Sequence, residues 1–149
     1  MNKLTGLTHK QVESQLTIWM ERCGYKRVKY SPANNQAYRS LRPDRIFKNK
    51  EKPVIVVEVK PEIVTKDEVL RGIGQSACYL PYNVKPYLVI PVKYYDELEK
   101  VFAKLPWLGI ITYDNGVFDL RKVSNVHVYS YDPEIRRLED QFLEDKLGR

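Results

Sequence analysis

The segment VIVVEVKP, residues 54–61, reads as a strand buried over much of both faces, because five of its first six residues are β-branched and apolar. Glu58 and Lys60 nevertheless lie within it. Their separation of two residues puts both side chains on the same face of the strand. A carboxylate in such a place is costly unless a cation compensates it, so this segment marks where charge is needed inside the sheet.

The preceding strand adds a second carboxylate. RPDRIF, residues 42–47, puts Asp44 at the start of a strand, and a charged turn then leads into the next strand as an antiparallel hairpin. Lys60 alone cannot neutralise both Asp44 and Glu58. A divalent metal with hard oxygen ligands would do so and would leave Lys60 to hold a water molecule or a phosphate oxygen. The spacing therefore predicts a Mg²⁺ site and phosphodiester chemistry, with an ordinary cross-strand ion pair as the alternative that these residues alone leave open.

Helical and strand patterns alternate along the rest of the chain without a linker or an internal repeat, which predicts one α/β domain spanning residues 1–149. Thr8 and Gln11 have the spacing of a capping box at the start of the first helix, Gly24 ends that helix, and Thr65 opens the second. The predicted helices cover residues 8–23, 65–80, 94–105 and a last segment from 132 onward, and the predicted strands cover 26–30, 45–48, 54–60, 87–92, 108–113, 117–123 and 126–131.

Together, Pro43-Asp44 and Glu58-Val59-Lys60 resemble the PD-(D/E)XK nuclease superfamily over roughly residues 8–92. The resemblance implies a restriction-endonuclease-like core, a mixed central β-sheet flanked by helices in the order αβββαβ, here with C-terminal α/β additions. It also implies that Asp44, Glu58 and the backbone carbonyl of Val59 bind Mg²⁺ or Mn²⁺. In the family, the residue corresponding to Lys60 orients or activates the attacking water.

The second predicted helix carries Gln75-Ser-Ala-Cys-Tyr79, which is similar to the QxxxY element of the RecB-type branch of that superfamily. Arg71, Gln75 and Tyr79 are spaced by four, so we expect one polar stripe that orients Lys60 and meets the DNA backbone. Gly72 and Gly74 weaken this helix, and the close approach of a strand or of substrate is the expected reason. With two cysteines, expected as buried free thiols, the chain cannot hold the four-cysteine iron–sulfur cluster of some relatives.

The first helix supplies one further candidate for the catalytic site. Nucleases of this superfamily often place an acidic residue on that helix beside the metal, and Glu13 is the residue of this chain that fits. His9 lies four residues earlier and shares the same helix face. We expect His9 to be exposed rather than a metal ligand, and an exposed rim position for Glu13 stays an alternative.

Positive charge is concentrated in one part of the chain. The protein has a formal net charge of +6, and residues 26–52 alone contain nine basic and two acidic residues. Such a segment fits a nucleic-acid backbone, although solvated loops are an equally ordinary use of it. The candidates for contact with nucleic acid are Arg42, Arg45, Lys48, Lys50, Arg71 and Tyr79.

These features predict a Mg²⁺-dependent or Mn²⁺-dependent deoxyribonuclease acting on single strands or DNA ends. A dimeric endonuclease of the junction-resolvase type and a non-catalytic nucleic-acid-binding module are the alternatives, and a homodimer is compatible with either. The sequence does not choose between DNA and RNA. No apolar run would span a bilayer, no secretion signal is evident and no Gly-rich phosphate loop occurs. We therefore expect a soluble, cytoplasmic protein with no nucleotide cofactor.

Overall fold

The computed structural model describes residues 6–28, 43–50 and 52–128, together with the helical positions 134, 137, 138 and 141 near the C-terminus. Three helices and six strands lie in the continuous parts. In chain order they are α1 (His9–Arg22), β1 (Lys26–Arg27), β2 (Arg45–Asn49), β3 (Lys52–Val59), α2 (Lys66–Ala77), β4 (Lys85–Pro91), α3 (Val92–Ala103), β5 (Gly109–Asp114) and β6 (Val117–Lys122).

The six strands form one mixed sheet in which spatial order follows chain order. β1, β2 and β3 pair antiparallel, β3, β4 and β5 pair parallel, and β6 returns antiparallel to β5. The parallel pairs are possible because α2 and α3 carry the chain back between them, as a parallel connection requires. The predicted α/β class and the hairpin of β2 and β3 are both confirmed.

The helices cover the two faces of the sheet separately. α1 packs its buried Val12, Leu16 and Met20 against one face. On the other face, α2 and α3 bury Val69, Leu98 and Phe102 against β4 and β5. The strands therefore read as continuous apolar runs because both of their faces are covered.

Strand β3 divides its side chains between these layers in strict alternation. Val57 and Val59 belong to the core under α1, whereas Val56 packs with Ile46 and Tyr79 on the opposite face. Glu58, two residues after Val56, therefore points toward the same side as Tyr79. The position that carries charge in the strand thus faces the layer formed by α2 and the turn that follows it.

Several predicted boundaries differ from the structure. Helix α2 ends at Ala77 rather than near Leu80, and turns occupy residues 78–81 before the chain enters β4. Residues 126–128 are not a strand, so the predicted strand 126–131 is wrong over its described part, and its remainder lies outside the described residues. Of the predicted last helix, the four described positions are helical, and Leu138 among them is exposed.

Cys23 and Cys78 are exposed, so the expectation of buried thiols is wrong. Each is the residue at which its helix ends, where the apolar stripe no longer meets the sheet. Within the part of the chain that the structure describes, every helix is too short or too polar to cross a lipid bilayer.

Candidate functional site

The pairing of β2 with β3 brings the two predicted carboxylates together. Arg45 lies opposite Val57 in the antiparallel register. Continued by one position, back to Asp44 in one segment and forward to Glu58 in the other, the register sets these two acids opposite one another. Directly opposed residues have Cβ atoms about 5 Å apart, which is close enough for their side chains to meet. Asp44 lies close enough to Glu58 for its charge to raise the pKa of the Glu58 carboxyl.

Glu58 is nearly enclosed by the protein. Only 8% of its surface is exposed, and the hydroxyl of Tyr79 donates a hydrogen bond of 2.8 Å to its Oε1. Burial, together with the neighbouring Asp44 charge, raises the pKa of Glu58 to about 7, although the Tyr79 hydrogen bond and the Lys60 charge oppose the shift. Burial beside this carboxylate also raises the pKa of Tyr79.

Asp44 is held from two directions. Its Oδ2 accepts a hydrogen bond of 2.7 Å from the backbone N–H of Val59, so the end of β3 fixes the carboxylate directly. The same oxygen lies 3.1 Å from Nε2 of His9, at the start of α1. Asp44 therefore ties the first helix to the sheet as well as opposing Glu58.

Helix α1 contributes a second acidic residue and an imidazole to this group. Glu13 is buried, with Oε1 lying 3.6 Å from His9 Nδ1 and Oε2 lying 3.4 Å from Arg45 Nη1. Burial raises the pKa of Glu13, against the opposing charges of His9 and Arg45. One potential ligand atom from each of His9, Glu13 and Asp44 lies within 4.8 Å of the others, so the three residues could hold a metal ion.

Lys60 follows the last residue of β3 and is held along its length. Its backbone N–H donates to the carbonyl of Val89, and its own carbonyl accepts a hydrogen bond of 2.9 Å from the hydroxyl of Tyr113. The ammonium Nζ donates to Oε1 of Gln75, at 3.0 Å. These bonds come from β4, β5 and α2, so three elements determine where the Lys60 charge lies.

Gly72 makes room for the stem of Lys60. A Cβ atom at this position would lie 2.8 Å from a methyl carbon of Leu88 and 2.9 Å from Cε of Lys60, both too close for a real contact. The predicted close approach of a strand is therefore confirmed for Gly72. At Gly74, by contrast, no described atom lies within 4 Å of such a Cβ.

Most of the predicted catalytic and metal-binding residues are gathered here, although two of the predicted nucleic-acid contacts have other surroundings. Tyr79 is only 3% exposed and faces Glu58, because α2 ends before it and the four-residue spacing from Gln75 no longer continues along a helix. Arg45 contacts Glu13, the hydroxyl of Thr17 and the carbonyl of Asp44. Neither side chain is the exposed DNA contact that the sequence predicts.

The other residues predicted to contact nucleic acid lie in different parts of the chain. Arg71 lies exposed on α2, one turn before Gln75. Lys48 and Lys50 lie at the opposite end of β2 from Asp44. Arg42 lies outside the described residues. The role of His9 is what the sequence reasoning missed: its spacing of four residues places it on the Glu13 face of α1, but it is expected there to be exposed, whereas the structure has it half-buried beside both Glu13 and Asp44.

The raised pKa of Glu58 predicts a specific pH dependence of stability in the metal-free protein. The carboxyl ionises at about 4.5 when unfolded and about 7 when folded, so its protonation favours folding and this contribution is lost as pH rises from about 4.5 to 7. Between pH 5 and 8, wild type should lose about 2–3 kcal/mol of unfolding free energy relative to Glu58→Gln. Urea unfolding in EDTA at each pH measures this.

Glu99→Gln is the matched control for that experiment, because it makes the same chemical change on an exposed position of α3. Its unfolding free energy should follow wild type at every pH. Identical pH profiles for wild type and Glu58→Gln would show that the folded protein does not hold Glu58 in a protonated form.

Comparison with known proteins gives information on the fold and not on the chemistry of the site. No protein family model matches the chain, and no curated protein matches it in sequence. The solved structure of the SPO1766 protein of unknown function from Silicibacter pomeroyi is similar, with a TM-score of 0.58 and 14% sequence identity. The match covers 99% of this chain and 89% of that chain. At this identity the likeness concerns the fold alone.

Proposed function

We propose that this protein is a metal-dependent nuclease that hydrolyses DNA phosphodiester bonds. One observation carries the proposal: Asp44 and Glu58 oppose each other at adjacent strand ends, while Lys60, two residues beyond Glu58, is held beside them by Gln75. A pair of carboxylates for a metal and a fixed ammonium group for water or phosphate are what metal-assisted hydrolysis of a phosphodiester requires.

The arrangement of elements supports the same proposal. The chain runs α1, β1, β2, β3, α2, β4, with the first three strands antiparallel and β4 parallel to β3. This is the αβββαβ order that the resemblance to PD-(D/E)XK nucleases implies. On this proposal, β4 completes the restriction-endonuclease-like core, and α3, β5 and β6 are additions to it.

The donor set fits a divalent cation. The Asp44 carboxylate lies near both Glu58 and Glu13, and among the described residues no lysine or arginine forms an ion pair with Glu58, whereas Arg45 pairs with Glu13. Burying so much negative charge is costly, and the raised pKa of Glu58 reflects that cost. Asp44, Glu58 and the carbonyl of Val59 would hold Mg²⁺ or Mn²⁺, and His9 and Glu13 form with Asp44 a second possible set of metal ligands beside it.

The protein side chains have separate tasks in the proposed reaction. The bound metal would polarise the scissile phosphate and favour ionisation of a water molecule. Lys60 presents its ammonium group to that water or to a phosphate oxygen, and Gln75 keeps the ammonium in place. Tyr79 orients the Glu58 carboxylate through its hydroxyl, and the Val59 N–H orients that of Asp44.

The proposal predicts DNA cleavage that depends on both the metal and Glu58. Wild type, Glu58→Gln and Lys60→Met would be incubated with linear duplex, single-stranded, circular and four-way-junction DNA in Mg²⁺, Mn²⁺ or EDTA. Loss of a group that stabilises charge in the transition state typically costs about 100-fold or more, so both variants should lose at least that much. Glu58→Gln keeps an oxygen that can accept the Tyr79 hydrogen bond, which favours a folded protein.

Lys104→Met is the control variant for Lys60→Met, because it removes a charge from an exposed position at the end of α3. It should cut as fast as wild type. Cleavage by Glu58→Gln at the wild-type rate would refute the assignment. DNA that is retarded but uncut with every metal would instead favour a nucleic-acid-binding module on the same fold, and the substrate panel separates a junction-specific enzyme from one acting on ends or single strands.

The packing of Lys60 against α2 predicts a contrast between two glycines of one helix. Gly72→Ala forces the Lys60 stem or Leu88 to move, and a displacement of about 1 Å can cost 100-fold in rate, so cleavage should fall by about 10- to 100-fold. Gly74→Ala adds a methyl group that no described atom opposes and should raise the unfolding free energy by about 0.5–1 kcal/mol without slowing cleavage. Single-turnover cleavage and urea unfolding measure both effects, and equal cleavage rates in the two variants would contradict this account of Gly72.

A further inference from the structure

Three lysines surround a cleft at the end of the sheet remote from Asp44. Lys26, Lys48 and Lys50 line a cavity of about 580 Å³ together with Gly24, Val28 and Asn49. All three lysines are exposed. We call this feature the basic cleft.

Strand pairing brings two of the positive charges of the basic cleft close together. Lys26 of β1 and Lys48 of β2 lie directly opposite in the antiparallel register, so both side chains project on the same face. Like charges in directly opposed positions destabilise a sheet. Among the described residues, no carboxylate forms an ion pair with Lys26, Lys48 or Lys50. A bound anion would relieve this repulsion.

The walls of the basic cleft are fixed by hydrogen bonds. The side-chain amide of Asn49 donates to the carbonyl of Gly24 at 2.8 Å, which joins the end of β2 to the turn after α1. Gly24 has a backbone φ of +93°, which residues other than glycine rarely adopt. The N–H of Val28 donates to the carbonyl of Ile46 at 2.8 Å and extends the pairing of β1 beyond its last residue. The three lysines are therefore carried on a braced edge of the sheet.

The basic cleft lies on the same face of the sheet as the Glu58 carboxylate. Lys48 is two residues from Ile46, which packs with Val56 and Tyr79 on that face, and Val28 of the cleft packs against the same group. Along β2, the four residues from Asp44 to Lys48 span about 13 Å. A small phosphate ester bound at Asp44 would not reach the cleft, whereas a polymer would.

We propose that the basic cleft binds backbone phosphates of the same nucleic-acid strand whose scissile phosphate lies beside Asp44, Glu58 and Lys60. This proposal rests on the proposed nuclease function and adds a requirement for substrate length. A stacked strand advances about 3.4 Å per nucleotide, so a separation of about 13 Å corresponds to about four nucleotides. Substrates that extend this far beyond the scissile bond gain the contact, and shorter ones do not.

A charge-matched pair of variants tests the cleft through binding alone. Lys26→Gln/Lys48→Gln removes two charges from the cleft, and Lys100→Gln/Lys104→Gln removes two exposed charges from the end of α3. The affinity of each full-length protein for labelled single-stranded and duplex 12-mers would be measured by fluorescence anisotropy in EDTA, across a series of salt concentrations. Thermal unfolding would verify that both variants fold.

Loss of two phosphate contacts should have a defined salt signature. Each contact contributes about 0.7–0.9 to the slope of log affinity against log salt concentration, so the cleft variant should lose about 1.5 from that slope. Its affinity near 0.1 M salt should be about 10- to 50-fold lower than that of the α3 variant. Equal slopes and equal affinities for the two variants on both DNA forms would overturn the proposal.

Cleavage of strands of increasing length separates this proposal from the proposed function. In Mg²⁺ or Mn²⁺, the cleft variant should cut a dinucleotide as fast as wild type but should cut a 12-mer with a kcat/KM lower by about the same 10- to 50-fold. If wild type cuts DNA and the cleft variant cuts every length equally well, the cleft proposal fails while the nuclease function stands. If no protein cuts but the cleft variant alone loses affinity, the nuclease function fails, and the cleft remains a nucleic-acid-binding surface.

Discussion

The register between β2 and β3 is the constraint on which the rest of the site depends. Because Arg45 pairs with Val57, Asp44 and Glu58 are opposed at the open end of the hairpin. A slip of one residue would turn Glu58 to the face under α1, where Val57 and Val59 now pack. The slip would bury the Glu58 charge among these apolar side chains, so the register of this strand is strongly specified. The same apolar side chains that stabilise β3 therefore set the distance between the two acids.

The close pairing of two acids destabilises the folded protein at this site. Folding moves Glu58 out of water and places it beside a second carboxylate, which is unfavourable for the charged form of either group. The hydrogen bonds from Tyr79 and from the backbone of Val59 offset part of that cost. Such a concentration of like charge is typical of functional sites, where a ligand rather than the fold completes the electrostatics.

The sequence predicts the contacts between neighbouring elements of this site better than the contacts that depend on how distant elements pack. The hairpin, the opposition of Asp44 to Glu58 and the approach of Gln75 to Lys60 follow from strand alternation and from one short crossover, and all three are seen in the structure. The approach of His9 to Asp44 depends on how α1 docks against the sheet, which local periodicity does not encode. The prediction for Tyr79 was wrong for a more local reason, because α2 ends at Ala77, three residues earlier than its pattern suggests.

The hydrogen bond from the Tyr113 hydroxyl to the carbonyl of Lys60 affects when the site can form during folding. Tyr113 lies on β5, and α1, which supplies His9 and Glu13, lies near the beginning of the chain. The site thus unites residues separated by about a hundred positions, and no early fragment of the chain contains it. During synthesis from the N-terminus, the site would be complete only after β5 has paired with β4 in the sheet.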